Sequence, residues 1–328
     1  MGVVLGAQGA TGGTGQVVNA PTTISTAIVG GAGSRGQIPV TNANTSGGGG
    51  GGGAGVRATA DVTITGTGNV TGGSGGPPGA GDGGGGGGGV GVFSSASVTV
   101  ESGGRVTGGV GANVSLGGGG QGGTAVMLTN GGVVQNSGIL AGGAGGRAIT
   151  VGGAGDGGTG VHLLSGGTLI NAAGGTITGG AGGTTGAGTP GEGGVGVKGA
   201  GISIVNAGTI TGGAGGSVAI GQANAIQFTG GVNSLEIRPG STINGNVVAF
   251  SAADTLKLGG GADASFDLSA IEAGGKYRGF GRYEMVGAST WTLTGTPSAV
   301  TPWTLTSGVL RISSDSNLGG PAGGLTFN

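Results

Sequence analysis

His162 is the only histidine in the chain, so any catalytic triad or histidine-bound metal has to be built on it. It sits in Val161-His162-Leu163-Leu164, where β alternation points it away from its apolar neighbours, to a solvated strand face. A serine triad needs an acid and a nucleophile around the base, and no G-x-S-x-G elbow is present. A histidine-ligated metal site is equally unsupported. Asp82 and Asp156 lie in glycine runs, where a calcium loop of the form G-G-x-G-x-D would place a carboxylate. Gly152-Gly153-Ala154-Gly155-Asp156 is one residue short of that form, which must also occur in tandem. Asp254, Asp263 and Asp267 fit either the carboxylate pair of a polysaccharide-cleaving enzyme or ordinary turn aspartates at coil corners. No aromatic platform for sugar stacking precedes Phe228 apart from Phe93. Trp291 and Trp303, each followed by Thr-Leu, read as packing residues rather than ligand-binding ones. The many GxGxxG-like strings are not dinucleotide fingerprints, because no helix follows them. No catalytic, cofactor-binding or metal-binding residue is assigned, and the chain reads as a non-enzyme.

The background composition is unusual. Of 328 residues 98 are Gly and 9 are Pro, with no Cys and only 7% charged. Collagen needs a strict every-third-residue period and much proline, and here the glycine spacing is irregular, which excludes it. Disorder is disfavoured by 35% apolar content with so little charge. A net charge of −1, with the basic residues scattered from Arg35 to Arg311, leaves no footprint for nucleic acid. The absence of cysteine fits a chain that crosses an oxidising compartment unfolded. The start, from Met1 to Gly6, lacks the basic and apolar regions of a signal peptide, and no apolar run is long enough for a membrane helix. The chain is therefore expected to be a piece of a longer protein, with no membrane insertion of this segment.

Two apolar series recur with one period. Val70, Val106, Leu140, Ile177, Ile210 and Ile243 each precede a small residue (Thr, Ala or Asn) and Gly, and Val56, Val92, Val126, Val161, Val197 and Ile226 precede them in each unit. Between the two lie alternating stretches such as Val62-Thr63-Ile64-Thr65, Val98-Thr99-Val100 and Ile202-Ser203-Ile204-Val205-Asn206. Three short β-prone stretches per unit of about 35 residues, with no hairpin signature, predict one coil of a solenoid each. The fold class is all-β: a right-handed parallel β-helix with long Gly-rich loops. Val106, Leu140, Ile177 and Ile210 are expected to stack inside it. A coil needs about 20 residues, and the excess lies in Gly75 to Gly89, Gly117 to Gly123, Gly142 to Gly158 and Gly179 to Gly194. These loops leave one corner repeatedly and are expected to order side by side as polyglycine II-like strands. Asn136, Asn171 and Asn206, 35 apart, suit either a hydrogen-bonded ladder or a left-handed turn that Asn tolerates.

The chain divides into an irregular Gly-rich start of the solenoid (1–54), Gly-rich repeats (55–230) and better-packed coils (231–328). The last part holds only 17 of the 98 glycines and both Trp and both Tyr. Its motifs Thr255-Leu256-Lys257-Leu258-Gly259-Gly260, Tyr277-Arg278-Gly279-Phe280 and Thr290-Trp291-Thr292-Leu293-Thr294-Gly295 resemble passengers of bacterial autotransporters, the type V secretion family. Trp303-Thr304-Leu305 through Gly324-Leu325-Thr326-Phe327 resembles the passenger-associated transport repeat, and Asn206-Ala207-Gly208-Thr209-Ile210-Thr211-Gly212-Gly213 resembles the repeats of Gly-rich passengers. The resemblance covers roughly 55–328. It implies a Sec signal upstream and, as partner, a C-terminal outer-membrane β-barrel translocator downstream. It places the segment on the bacterial cell surface, tethered to the outer membrane, with no cofactor.

Passengers of that family include adhesins, self-associating factors, proteases and esterases, so fold does not decide function. The leading expectation is a structural or adhesive passenger that mediates cell-surface contact or aggregation through a host or sibling-cell ligand. The alternatives are a β-helical polysaccharide-active enzyme and a Gly-rich receptor-binding adhesin of the phage type, in which glycine segments stack as polyglycine helices.

Overall fold

The computed structural model describes residues 7–37, 46–79, 82–320 and 322–328. The first six residues, read above for a signal peptide, lie outside that set, as does part of the Gly75 to Gly89 run. The fold is a parallel β-helix. Its three long sheets contain nine, eleven and seven strands, and successive members of each come from successive units of the chain. Every paired strand is parallel, as at Val56–Ala58 with Val92–Ser94 and at Val70 with Val106. Eleven strands at about 4.8 Å per spacing make the longest sheet roughly 48 Å from end to end.

The two apolar series are the inner columns of two of these sheets. Val106, Leu140, Ile177 and Ile210 lie in one register and are fully buried. Val92, Val126, Val161 and Val197 form the matching column of the first sheet. Each buried side chain of this kind contributes roughly 1.5–3 kcal/mol of transfer free energy. No single rung encloses a core, so that stabilisation exists only in the stack. The expected irregular start already supplies one full rung, with strands at Gln16–Val18, Thr22–Ile24 and Ala27–Val29.

The Asn ladder is present. The side chain of Asn136 donates through Nδ2 to Oδ1 of Asn171 (2.9 Å), and Asn171 donates likewise to Asn206 (2.8 Å). All three are buried. The left-handed alternative is overturned, since no non-glycine residue among those described has positive φ.

The glycine runs are ordered arms. Each leaves the helix at the end of a third-sheet strand, runs outward, turns and returns to the next first-sheet strand. In the outgoing half of one arm, the Gly72 and Gly75 N–H groups donate sideways to Thr107 and Val110 of the next outgoing half. Gly73 and Gly76 donate instead to Gly53 and Gly50 of the neighbouring return half. Ser74 and Pro77 point outward. The return half repeats this, with Gly85 and Gly88 donating sideways to Gly118 and Gln121, and Gly86 and Gly89 donating across to Gly76 and Gly73. N–H groups that turn through three directions every three residues, sideways, across and outward, are the signature of extended three-residue helices packed side by side. The arms therefore build two layers, one outgoing and one returning, antiparallel to each other.

This corrects one expectation. Glycine spacing that looks irregular over the whole chain becomes a Gly-Gly-x triplet where each arm leaves the helix: Gly72-Gly73-Ser74, Gly108-Gly109-Val110, Gly142-Gly143-Ala144, Gly179-Gly180-Ala181 and Gly212-Gly213-Ala214. None of the arm glycines at 46–55, 72–79 or 82–91 has positive φ. They are required by packing, not by backbone freedom: a Cβ on Gly73, Gly89, Gly109 or Gly123 would collide with a backbone carbonyl of the neighbouring strand. Left-handed glycine appears at the arm tips, where Gly117 (φ 88°) and Gly152 (φ 104°) reverse the chain.

Beyond Thr242–Asn244 the third sheet ends, and a three-stranded sheet takes up that side with Ala264–Asp267, Thr290–Thr294 and Val309–Arg311. Aromatic residues replace valine in this part of the core. Phe228 meets Phe280 edge-on at 6.2 Å, and Tyr283 packs on Trp303 at 5.6 Å.

Candidate contact surface

The residues whose chemistry was considered first serve the scaffold. His162 lies in the strand Val161–Leu163 and points outward, half-buried, between Met127 and Lys198 of the adjacent rungs. Burial, and then the Lys198 charge, hold its pKa below the usual histidine value. Asp254 is fully buried and accepts through Oδ1 from the N–H and Nδ2 of Asn233, and through Oδ2 from the N–H groups of Phe250 and Ser251. A carboxylate with both oxygens so engaged holds a corner together. Asp267 caps the short helix Leu268–Ala270 by accepting from Ser269, and Asp263 accepts from the Thr290 N–H. Asp156 accepts from the Glu192 N–H and ties one return strand to the next. Among the described residues no three His, Cys, Asp or Glu side chains come together as a metal site would require. Trp291 and Trp303 are buried, and Trp291 donates to the Gly259 carbonyl.

What the molecule presents outward is a lattice. On the first sheet the outward column runs Arg57, Phe93, Met127, His162, Lys198, Gln227. The Arg57 guanidinium lies over the Phe93 ring at 4.8 Å, a cation–π contact. Where this column meets the return layer, a groove of about 450 Å³ opens, lined in part by Arg57, Phe93, Met127 and Val90. The outgoing layer offers a broader, mainly apolar groove of about 760 Å³ along Ala144, Ala181 and Ala214. The arm tips expose Leu116, Ile149 and Val151.

Sequence reasoning missed this surface because outward columns exist only once register is known. The signal was available: each member of the first column is the residue after one member of the Val56 series.

A comparison with protein-family models, with curated proteins and with solved structures finds no match in any of the three. Among the described residues no helix is long and apolar enough to cross a membrane.

Proposed function

We infer that this chain is a non-enzymatic contact segment: a surface-exposed structural and adhesive passenger that mediates cell-surface contact or aggregation. The observation that supports this best is the two-layer stack of glycine arms. It spends a large part of the chain on broad, almost uncharged faces that display at most one side chain per triplet, while Asp156, Asp254, Asp263 and Asp267 tie strands, corners and caps. The setting implied by the family resemblance is an autotransporter passenger, tethered to the outer membrane by a downstream barrel. A receptor-binding adhesin of the phage type is the second reading, and the same observation favours it, because stacked polyglycine helices are its expected feature. Both readings assign the work to the surface.

The test is display of the protein, with its own flanking segments, on a non-adherent bacterium. Gain of cell–cell aggregation or of binding to a host surface is the expected result. Absence of both, or polysaccharide or ester turnover that disappears in Asp263→Asn or Asp267→Asn, overturns the reading.

A further inference from the structure

The outward positions of the two arm layers differ. On the outgoing layer, every described outward position at the level of Ser74 carries a side chain, as at Val110, Ala144, Ala181 and Ala214. On the return layer a contiguous group is bare, and it includes Gly48, Gly51, Gly84, Gly87 and Gly118, with Gly153 continuing the outer row. The fold does not require glycine there. A Cβ would lie 3.4 Å from the nearest atom at Gly48, 3.7 Å at Gly51, Gly84 and Gly118, and 3.5 Å at Gly87, and none of the five has positive φ. Equivalent positions in later arms hold Gln121, Asp156 and Glu192 on the same backbone. Glycine at such a place costs more backbone entropy on folding than alanine and gains no internal packing. Its remaining use is to let another backbone approach closely.

The bare face also carries unused hydrogen-bonding groups. The N–H groups of Gly48, Gly51, Gly84 and Gly87, and the carbonyls of Gly49, Gly52, Gly85 and Gly88, have no partner among the described residues. Donors and acceptors alternate with the same three-residue step that joins the two layers inside the molecule. A surface without side chains can be met at backbone distance only by another surface without them. The antiparallel contact between return and outgoing halves, such as Gly89 N–H to the Gly73 carbonyl at 2.7 Å, is the working pattern.

We propose that the bare-glycine face of the return layer binds the same face of a second copy of this chain, extending the two-layer stack to four. A two-fold axis lying in the plane of the contact, perpendicular to the strands, sets the facing strands antiparallel and puts donors opposite acceptors, an isologous contact. From 48 to 124 the outward positions of this layer carry no charge, and the exposed Asp82 lies beyond them toward the arm tip. The patch covers roughly 300 Å² per copy, taking about 3.1 Å per residue and 4.8 Å per strand. That is below the roughly 800 Å² per partner of a stable complex. The contact is therefore weak singly and effective between arrays, where linked sites multiply affinity. The assignment names the partner for the contact function inferred above and takes its biological setting from that reading, whereas the glycine geometry stands without it.

The experiment coats beads with the purified full chain and measures their clustering, alongside sedimentation of the free chain. Wild type clusters, while the variant G51Q/G84Q/G87Q loses at least about tenfold in clustering with an unchanged melting temperature. A144Q/A181Q, on the other layer, clusters as wild type. In the opposite direction, Gln121→Gly widens the bare patch and raises clustering. Wild-type beads that never cluster, or a triple variant that clusters like wild type, overturn the proposal. Should the triple variant melt lower, Gln121→Gly decides, and no gain there overturns the proposal. Beads that cluster while displaying cells neither aggregate nor adhere would count against the cell-surface reading and leave the contact standing.

Discussion

Asn171 donates to Asn206 at 2.8 Å across 35 residues of chain and a single rung of space. It also accepts from Asn136 at 2.9 Å, so this one buried amide serves as donor and acceptor in a ladder. Asn171→Ala leaves the Oδ1 of Asn206 without its donor, while the Nδ2 of Asn136 keeps the Gly138 and Thr176 carbonyls. At about 1–3 kcal/mol for a buried group left unsatisfied, the expected loss is roughly 1–3 kcal/mol, read as a fall in the denaturant midpoint. A loss below about 1 kcal/mol would mean that water replaces the ladder without penalty.

The arms make a sharper discrimination possible, between two glycines of one return layer. A Cβ at Gly123 would meet the Gly89 carbonyl, whereas at Gly87 it would have 3.5 Å of clearance. Gly123→Ala should therefore disorder the local arm, at a cost of about 2 kcal/mol or more, and speed amide exchange through 117–125. Gly87→Ala should be neutral or stabilising by up to about 1 kcal/mol. Equal effects at the two sites would refute the packing account of the triplet.

Both tryptophans are buried, yet only one has its N–H satisfied. Trp291 donates to the Gly259 carbonyl at 3.1 Å, while Nε1 of Trp303 has no partner among the described residues. Trp291→Phe should cost more than Trp303→Phe by about 1 kcal/mol, since the second substitution also removes an orphaned donor. Parallel urea titrations of the two variants would decide the order.

Two groups of opposite sign set the pH limits. Burial pushes the hydroxyls of Tyr277 and Tyr283 up to about 12. Their contribution is complete below the ordinary tyrosine value near 10 and is lost as pH rises from there to about 12. They are the only tyrosines, so tyrosinate absorbance follows the C-terminal coils alone. The absorbance should rise together with loss of structure, and Phe at both sites should move that loss to higher pH. His162 acts at the acid end: its depressed pKa means that stability is complete above about 6.5 and declines as pH falls toward the folded value. His162→Gln should remove this acid sensitivity while leaving the melting temperature at pH 8 nearly unchanged.

Much of this fold is legible in the residues. The Val56 and Val70 series give two of the three sheets in correct register, because an inward position tolerates only a large aliphatic side chain. The Asn ladder could not be separated from a turn preference until φ was known, since both need Asn at the same spacing. The arms were foreseen as extended glycine strands, yet the triplet that dictates them was lost in a whole-chain count. The outward surface was present only implicitly, in the residues that follow each member of the Val56 series. Arg57 and Phe93 are 36 residues apart and become neighbours only through register.

The Gly-Gly-x triplet has a consequence for how such a chain can change over generations. One triplet added to the outgoing half of an arm and one to its return half restore every sideways and crossing hydrogen bond, one turn further out. Each such double insertion lengthens the arm by about 9 Å and leaves the β-helix core untouched. An insertion of one or two residues instead turns a buried glycine position outward and a side chain inward. Length polymorphism in the arms is thus quantised: reach can drift between lineages in fixed steps, with the reading frame of the triplet acting as the filter.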